Sequence, residues 1–134
     1  MSKSLEVQKL VIQSARSVEY LQQNKIEVYS SVPLFVKMPY IKLAGINTDA
    51  VGNGIQRFTI EFFIATNGKN NKKLLEICEN LYNEMPNKLN EIIHNNQNDY
   101  TITLCDIYSS NFSILEDLRN DCWCGKYVIS IDIC

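Results

Sequence analysis

The stretch from Gly54 to Met85 leaves a folding chain few choices. Residues 55–65 read Ile-Gln-Arg-Phe-Thr-Ile-Glu-Phe-Phe-Ile-Ala. Phe58, Ile60, Phe62 and Ile64 fall on one side of an extended chain, and Arg57, Thr59 and Glu61 fall on the other. A period of two is the mark of a strand with one buried face. Residues 66–71, Thr-Asn-Gly-Lys-Asn-Asn, supply turn chemistry. From Lys72 the period lengthens, and Leu74, Leu75, Cys78, Leu81, Tyr82 and Met85 recur at three- and four-residue steps, one stripe of a helix. A strand with one apolar face, followed by a helix with one apolar stripe, buries both when the helix lies across that face.

The flanking segments fit around this unit. Ser4 to Asn24 reads as a helix with Ser4 as N-cap and Glu6 in the first turn. Its stripe of Val7, Leu10, Val11, Ser14, Val18 and Leu21 is thin, so this helix should be less buried than the one starting at Lys72, and Asn24 should end it in a left-handed conformation. Residues 26–30 form a short strand candidate. Pro33 and Pro39 bracket a stiff extended connection. Tyr40 to Ala44 reads as the next strand, with Ile41 and Leu43 on one side and Gly45 at a bulge or at its end. Ile46 to Gly54 reads as a polar loop. Exposed loops on rigid scaffolds often carry partner contacts; the alternative is a hairpin tip with no task. Pro86 marks a kink or a new helix containing Leu89, Ile92 and Ile93. Residues 95–99 are a polar break, and Tyr100 to Tyr108 reads as a strand. Residues 109–124 are either a ragged strand end or a helical turn. After Gly125 comes the last strand, with Tyr127, Ile129, Ile131 and Ile133 on one face, paired antiparallel with its predecessor. The expected fold is α+β: one two-layer domain spanning residues 1–134, a mainly antiparallel sheet with helices on one face.

Composition narrows function by exclusion. A chain of 134 residues that is 46% hydrophobic fits one core. A net charge of −2 argues against a protein that wraps nucleic-acid phosphates. The N-terminal residues lack the apolar core of a signal peptide, and no apolar run approaches the roughly 18 residues of a membrane span. The five cysteines read as reduced thiols packed like small hydrophobes. Cys122-Trp123-Cys124 resembles half a metal site, with Cys134 or His94 as the residue to complete it, but structural zinc sites pair Cys-x₂₋₄-Cys units and this chain has no second pair. His94, the only histidine, would have to serve any Cys–His nucleophile, and it falls at a helix end where histidine is ordinary. Glu116, Asp117, Arg119 and Asp121 read as a solvated mixed-charge segment rather than an acid–base pair. Gly52-Asn53-Gly54 lacks the Lys-Ser/Thr of a phosphate loop. Trp123, the sole tryptophan, either covers the open edge of the core or anchors an interface. No enzyme activity, metal or cofactor is expected.

The order of short motifs is more informative. Residues 26–33 read Ile-Glu-Val-Tyr-Ser-Ser-Val-Pro, and residues 38–45 read Met-Pro-Tyr-Ile-Lys-Leu-Ala-Gly. A polar hairpin, the 57–64 strand, Asn67-Gly68-Lys69 and a long helix come next, and Asp121-Cys-Trp-Cys-Gly-Lys-Tyr-Val-Ile-Ser-Ile131 closes the series. In this order, over nearly the whole chain, the sequence resembles the tail-completion or tail-terminator proteins of long-tailed (siphovirus-like) bacteriophages, prophages and gene transfer agents. The resemblance implies a structural protein that forms a ring, typically a homohexamer, on the head-proximal end of a tail tube. Its partners would be other copies of itself, the tail tube protein and the head–tail connector, first in the bacterial cytoplasm and then in the virion neck. A ring needs a heterologous interface that closes on itself. The acidic balance suits a lumen through which DNA slides without specific binding. The partner-binding residues expected are Asn47, Thr48, Asp49 and Asn53 in the 46–54 loop, Asn67, Lys69 and Asn70 in the turn before the main helix, and Trp123. The alternatives are a head-completion or neck adaptor, and a non-viral oligomeric interaction domain.

Overall fold

The computed structural model describes residues 3–95, 99–119 and 122–134. Its elements run α1 (Lys3–Arg16), α2 (Glu19–Gln23), β1 (Glu27–Tyr29), β2 (Tyr40–Gly52), β3 (Ile55–Asn67), α3 (Lys72–Asn95), β4 (Leu104–Arg119) and β5 (Cys122–Ile133). The strands form one sheet in the order β1-β2-β3-β5-β4, in which only β1 and β2 run parallel. The helices cover one face, which makes a single α+β domain of two layers.

The central unit folds as its periodicity demands. Phe58, Ile60, Phe62 and Ile64 of β3 are fully buried, and beside them Ile131, Ile129 and Tyr127 of β5 complete the row under α3. α3 contributes Leu74, Ile77, Cys78, Leu81, Met85, Leu89 and Ile93 to that core. Ile77 joins the stripe, while Tyr82 lies outside it, half exposed, with its ring edge-on to Phe112 at 6.0 Å. Pro86 neither ends α3 nor starts a new helix: it sits inside a single element, and the carbonyl of Tyr82 is left without the amide proton that any other residue would donate. Gly125 lies within β5 rather than before it. A side chain there would come within 2.8 Å of Leu74 Cδ1, so glycine is what lets α3 approach the sheet closely at this point.

The N-terminal helix departs from expectation in three ways. It already includes Lys3, which puts Ser4 inside the first turn and not at the cap. It breaks at Ser17–Val18, where the Ser17 hydroxyl donates back to the Gln13 carbonyl at 2.8 Å and Val18 turns extended (φ −63°, ψ 122°) to bury its side chain. The left-handed residue after α2 is Lys25 (φ 55°), since Asn24 instead donates its side-chain amide to the Tyr20 carbonyl. α1 is also the more deeply buried helix, with seven of 14 positions buried against seven of 24 in α3. It is held between α3 and β1, and Arg16 donates twice to the Val28 carbonyl of β1, at 2.9 and 3.1 Å.

Two segments expected to be irregular are strands. The 46–54 loop does not exist as such: β2 runs to Gly52, and only Asn53 and Gly54 turn the chain, both at positive φ (54° and 76°). That is the two-residue Asn-Gly hairpin whose twist matches its flanking strands. Residues 109–119 likewise continue β4, which starts at Leu104 and not at Tyr100. Both extensions lie where alternation fades because one or both faces meet solvent. Main-chain pairing to β3 and β5 holds them. Cys105 and Cys134 pair as a disulfide across the end of the sheet, against the expectation that all five cysteines are reduced, whereas Cys78 and Cys122 fit it.

Candidate functional site

β3 separates the expected partner-binding residues into two groups. Asn47, Thr48 and Asp49 lie on β2 and Asn53 in its turn, all exposed and close to where β3 begins. Asn67, Lys69 and Asn70 are exposed at the other end of β3, where Trp123 pairs with Thr66. A strand of 13 residues holds these ends about 40 Å apart. The fold therefore does not gather them into one site. Asn70 also has a local task, accepting the Lys72 amide proton at 3.0 Å as α3 begins.

Trp123 is half-buried. The indole packs against the core from the helix-covered side, and the Trp123 carbonyl accepts the Thr66 hydroxyl at 2.9 Å. Its indole N–H is buried with no acceptor among the described residues. Cys122 lies near Met38, with 3.9 Å between the sulfurs. Cys134, one of the two residues expected to complete such a set, follows the last residue of β5, about 40 Å along the strand from Cys122, and is bonded to Cys105. No group of three or more potential metal ligands forms among the described residues. Cys78 is fully buried, and burial pushes its thiol up to about 12, which keeps it protonated and a poor nucleophile. The side chains of Glu116, Asp117, Arg119 and Asp121 lie outside what the structure describes.

Two features escaped sequence reasoning. The first is the sheet face that no helix covers. Arg57 of β3 grips Asp132 of β5 at 2.8 and 3.1 Å while stacking on the Tyr108 ring at 3.6 Å. Beside it Thr59 meets Ser130 at 3.1 Å, Lys126 meets Glu61 at 3.3 Å, and Lys42 lies over the Phe63 ring at 5.2 Å. This grip holds the Asp132 carboxyl below the usual carboxylate range. The face is polar but internally paired. Its signal was present as matching polar alternation in residues 57–61 and 126–132, readable once those strands are known to be neighbours.

The second is the outer edge of β2. β1 pairs only with Tyr40, Ile41 and Lys42, and among the described residues nothing pairs with the rest of that edge. Leu34 and Phe35, about 90% exposed between the two prolines, are the most exposed large apolar side chains among the described residues. Among the described residues no helix is long and apolar enough to cross a membrane. Compared with models of known protein families and with curated protein sequences, the chain matches none.

Proposed function

We propose that this chain is a tail-terminator protein: a structural subunit that assembles into a ring on the head-proximal end of a phage-type tail tube, stops tube growth and presents a surface to the head connector. One observation carries the reading. The motifs behind the resemblance fall at the joints of the fold in the order the resemblance requires. Val32-Pro33 follows shortly after β1, Pro39-Tyr40-Ile41 leads into β2, Asn67-Gly68 links β3 to α3, and Trp123-Cys124-Gly125 falls in the first residues of β5. A small sheet with an uncovered strand edge also supplies the kind of surface on which copies can assemble. Such a protein works through shape and makes no bonds. DNA would pass through the ring without specific binding.

The test is sedimentation over a wide concentration range, with electron microscopy of the protein added to purified tail tubes. Rings in concentrated solution or caps on tube ends are expected. A protein that stays monomeric and ignores tubes refutes the proposal, and binding to connectors but not tubes moves the function to a head-completion adaptor. Replacing Asn47, Thr48 and Asp49 with alanine should impair assembly while changing stability by no more than about 0.5 kcal/mol, because all three are exposed. Leu81→Ala, in the fully buried core, should cost about 2–5 kcal/mol.

A further inference from the structure

β4, at one side of the sheet, and β2, which the three-residue β1 covers only from Tyr40 to Lys42 at the other, expose their edges differently. β4 is interrupted by register shifts at four places along its pairing with β5, and bulges of this kind blunt an edge against further strands. β2 has shifts only near Ala44 and Val51. Between them Gly45 to Ala50 runs regularly, with no proline and no lysine, and its outer side is open. Such an edge accepts another strand through main-chain hydrogen bonds.

The side chains of this run identify the strand that fits. Ile46, Thr48 and Ala50 lie on the helix-covered side, in register with Ile60, Phe58 and Gln56. Asn47 and Asp49 lie on the uncovered side, in register with Thr59 and Arg57. Among the described residues Asp49 forms no salt bridge: Arg57, in register with it and within its electrostatic reach, is hydrogen-bonded to Asp132. Turned about a two-fold axis through Thr48, the run is its own complement. Thr48 faces Thr48 of a second copy, Ile46 faces Ala50, and Asn47 faces Asp49. Each amide then meets a carboxylate twice over, no like charges oppose one another, and the apolar residues stay on the helix side. The paired stretch also fits the gap available, between the end of the β1 pairing at Lys42 and the turn at Asn53.

We infer that two copies of this chain join edge to edge through Ile46–Ala50 of β2, antiparallel and centred on Thr48, into one continuous ten-stranded sheet. The contact is isologous, so it closes at two copies and is not itself the heterologous contact a ring needs. It occupies Asn47, Thr48 and Asp49, so a subunit held in this dimer cannot use them on a tube or a ring neighbour; cross-linking without tubes tests the dimer, and caps on tube ends test the terminator reading.

Single-cysteine additions test both the contact and its register. Under mild oxidation Thr48→Cys should give at least tenfold more covalent dimer than the unmodified chain, Asn47→Cys or Asp49→Cys. Mixing the Asn47→Cys and Asp49→Cys proteins should restore cross-linking as a heterodimer. Thr48→Lys places two ammonium groups face to face, and in sedimentation should weaken the dimer at least tenfold with an unchanged circular-dichroism spectrum. A chain that remains monomeric up to millimolar concentration overturns the inference. So does cross-linking that is equal at all three positions, or strongest for Asn47→Cys alone.

Discussion

Gly125→Ala is the sharpest test of how α3 sits on the sheet. A methyl group built there would lie 2.8 Å from Leu74 Cδ1, 3.3 Å from Leu74 Cδ2 and 3.1 Å from the Ser113 carbonyl oxygen. Comfortable carbon–carbon contacts begin near 3.5 Å. Leu74 is fully buried and has no solvent to move into, and the Ser113 oxygen belongs to the neighbouring strand. Overpacking of this kind costs about 1–3 kcal/mol. Removing a glycine from a strand offsets about 0.5–1 kcal/mol of that. The net expectation is a loss of about 1–2 kcal/mol. With about 2.1 cal/mol/K of unfolding entropy per residue, a chain of this length should melt about 4–7 °C lower. Urea unfolding followed by circular dichroism and Trp123 fluorescence should show a lower midpoint with an unchanged slope. Leu74→Ala alone should cost about 2–5 kcal/mol by opening a cavity. In the double variant the new methyl group occupies part of that cavity, so the two losses should fall short of additive by about 1 kcal/mol. A Gly125→Ala protein as stable as the parent, or strict additivity, would show that α3 and β5 are not packed this closely.

Three further outcomes follow from named groups. Asp132 is held below the usual carboxylate range by Arg57, so the stability it contributes is present above about pH 4 and lost as pH falls through its lower folded value. The stability difference between the parent and Asp132→Asn, from denaturant titrations between pH 2 and 6, should therefore shrink as pH falls. Tyr127 is buried against the Ser110 hydroxyl and pushed up to about 12, chiefly by burial. The stability linked to its proton should be complete below pH 10 and decline as pH rises from 10 to about 12, and Tyr127→Phe should lack that alkaline decline. Cys78 should resist a thiol reagent in the native protein and react once urea unfolds it; fast native labelling, mapped by mass spectrometry, would contradict its burial.

Much of the candidate surface was legible only in outline. Asn47, Thr48 and Asp49 stood out as polar, glycine-flanked and exposed, and exposed they are. Their form was misread because Ile46 to Gly52 has little apolar alternation, the only strand signal that a single sequence carries strongly. The Asn53-Gly54 pair was the available clue, since that dipeptide favours a two-residue hairpin turn and so demands strands on both sides. Trp123 and Asn67 were placed in one partner-binding set with Asn47, and β3 holds them at its opposite ends. Distance between segments is not written in local composition.

What the sequence determined on its own was the three elements with the strongest apolar periodicity: β3 with Phe58 to Ile64, the first half of α3 with Leu74 to Met85, and β5 with Tyr127 to Ile133. Burial of those side chains outweighs the alternatives, and their spacing specifies strand or helix before any partner is known. Tertiary structure decided what depends on which backbones meet. It inserted β5 between β3 and β4, set β1 parallel to β2, carried β2 and β4 on into solvent, and required glycine at residue 125. Those choices rest on main-chain hydrogen bonds and on the separation between layers, which any polar strand or small residue can satisfy until the neighbouring element arrives.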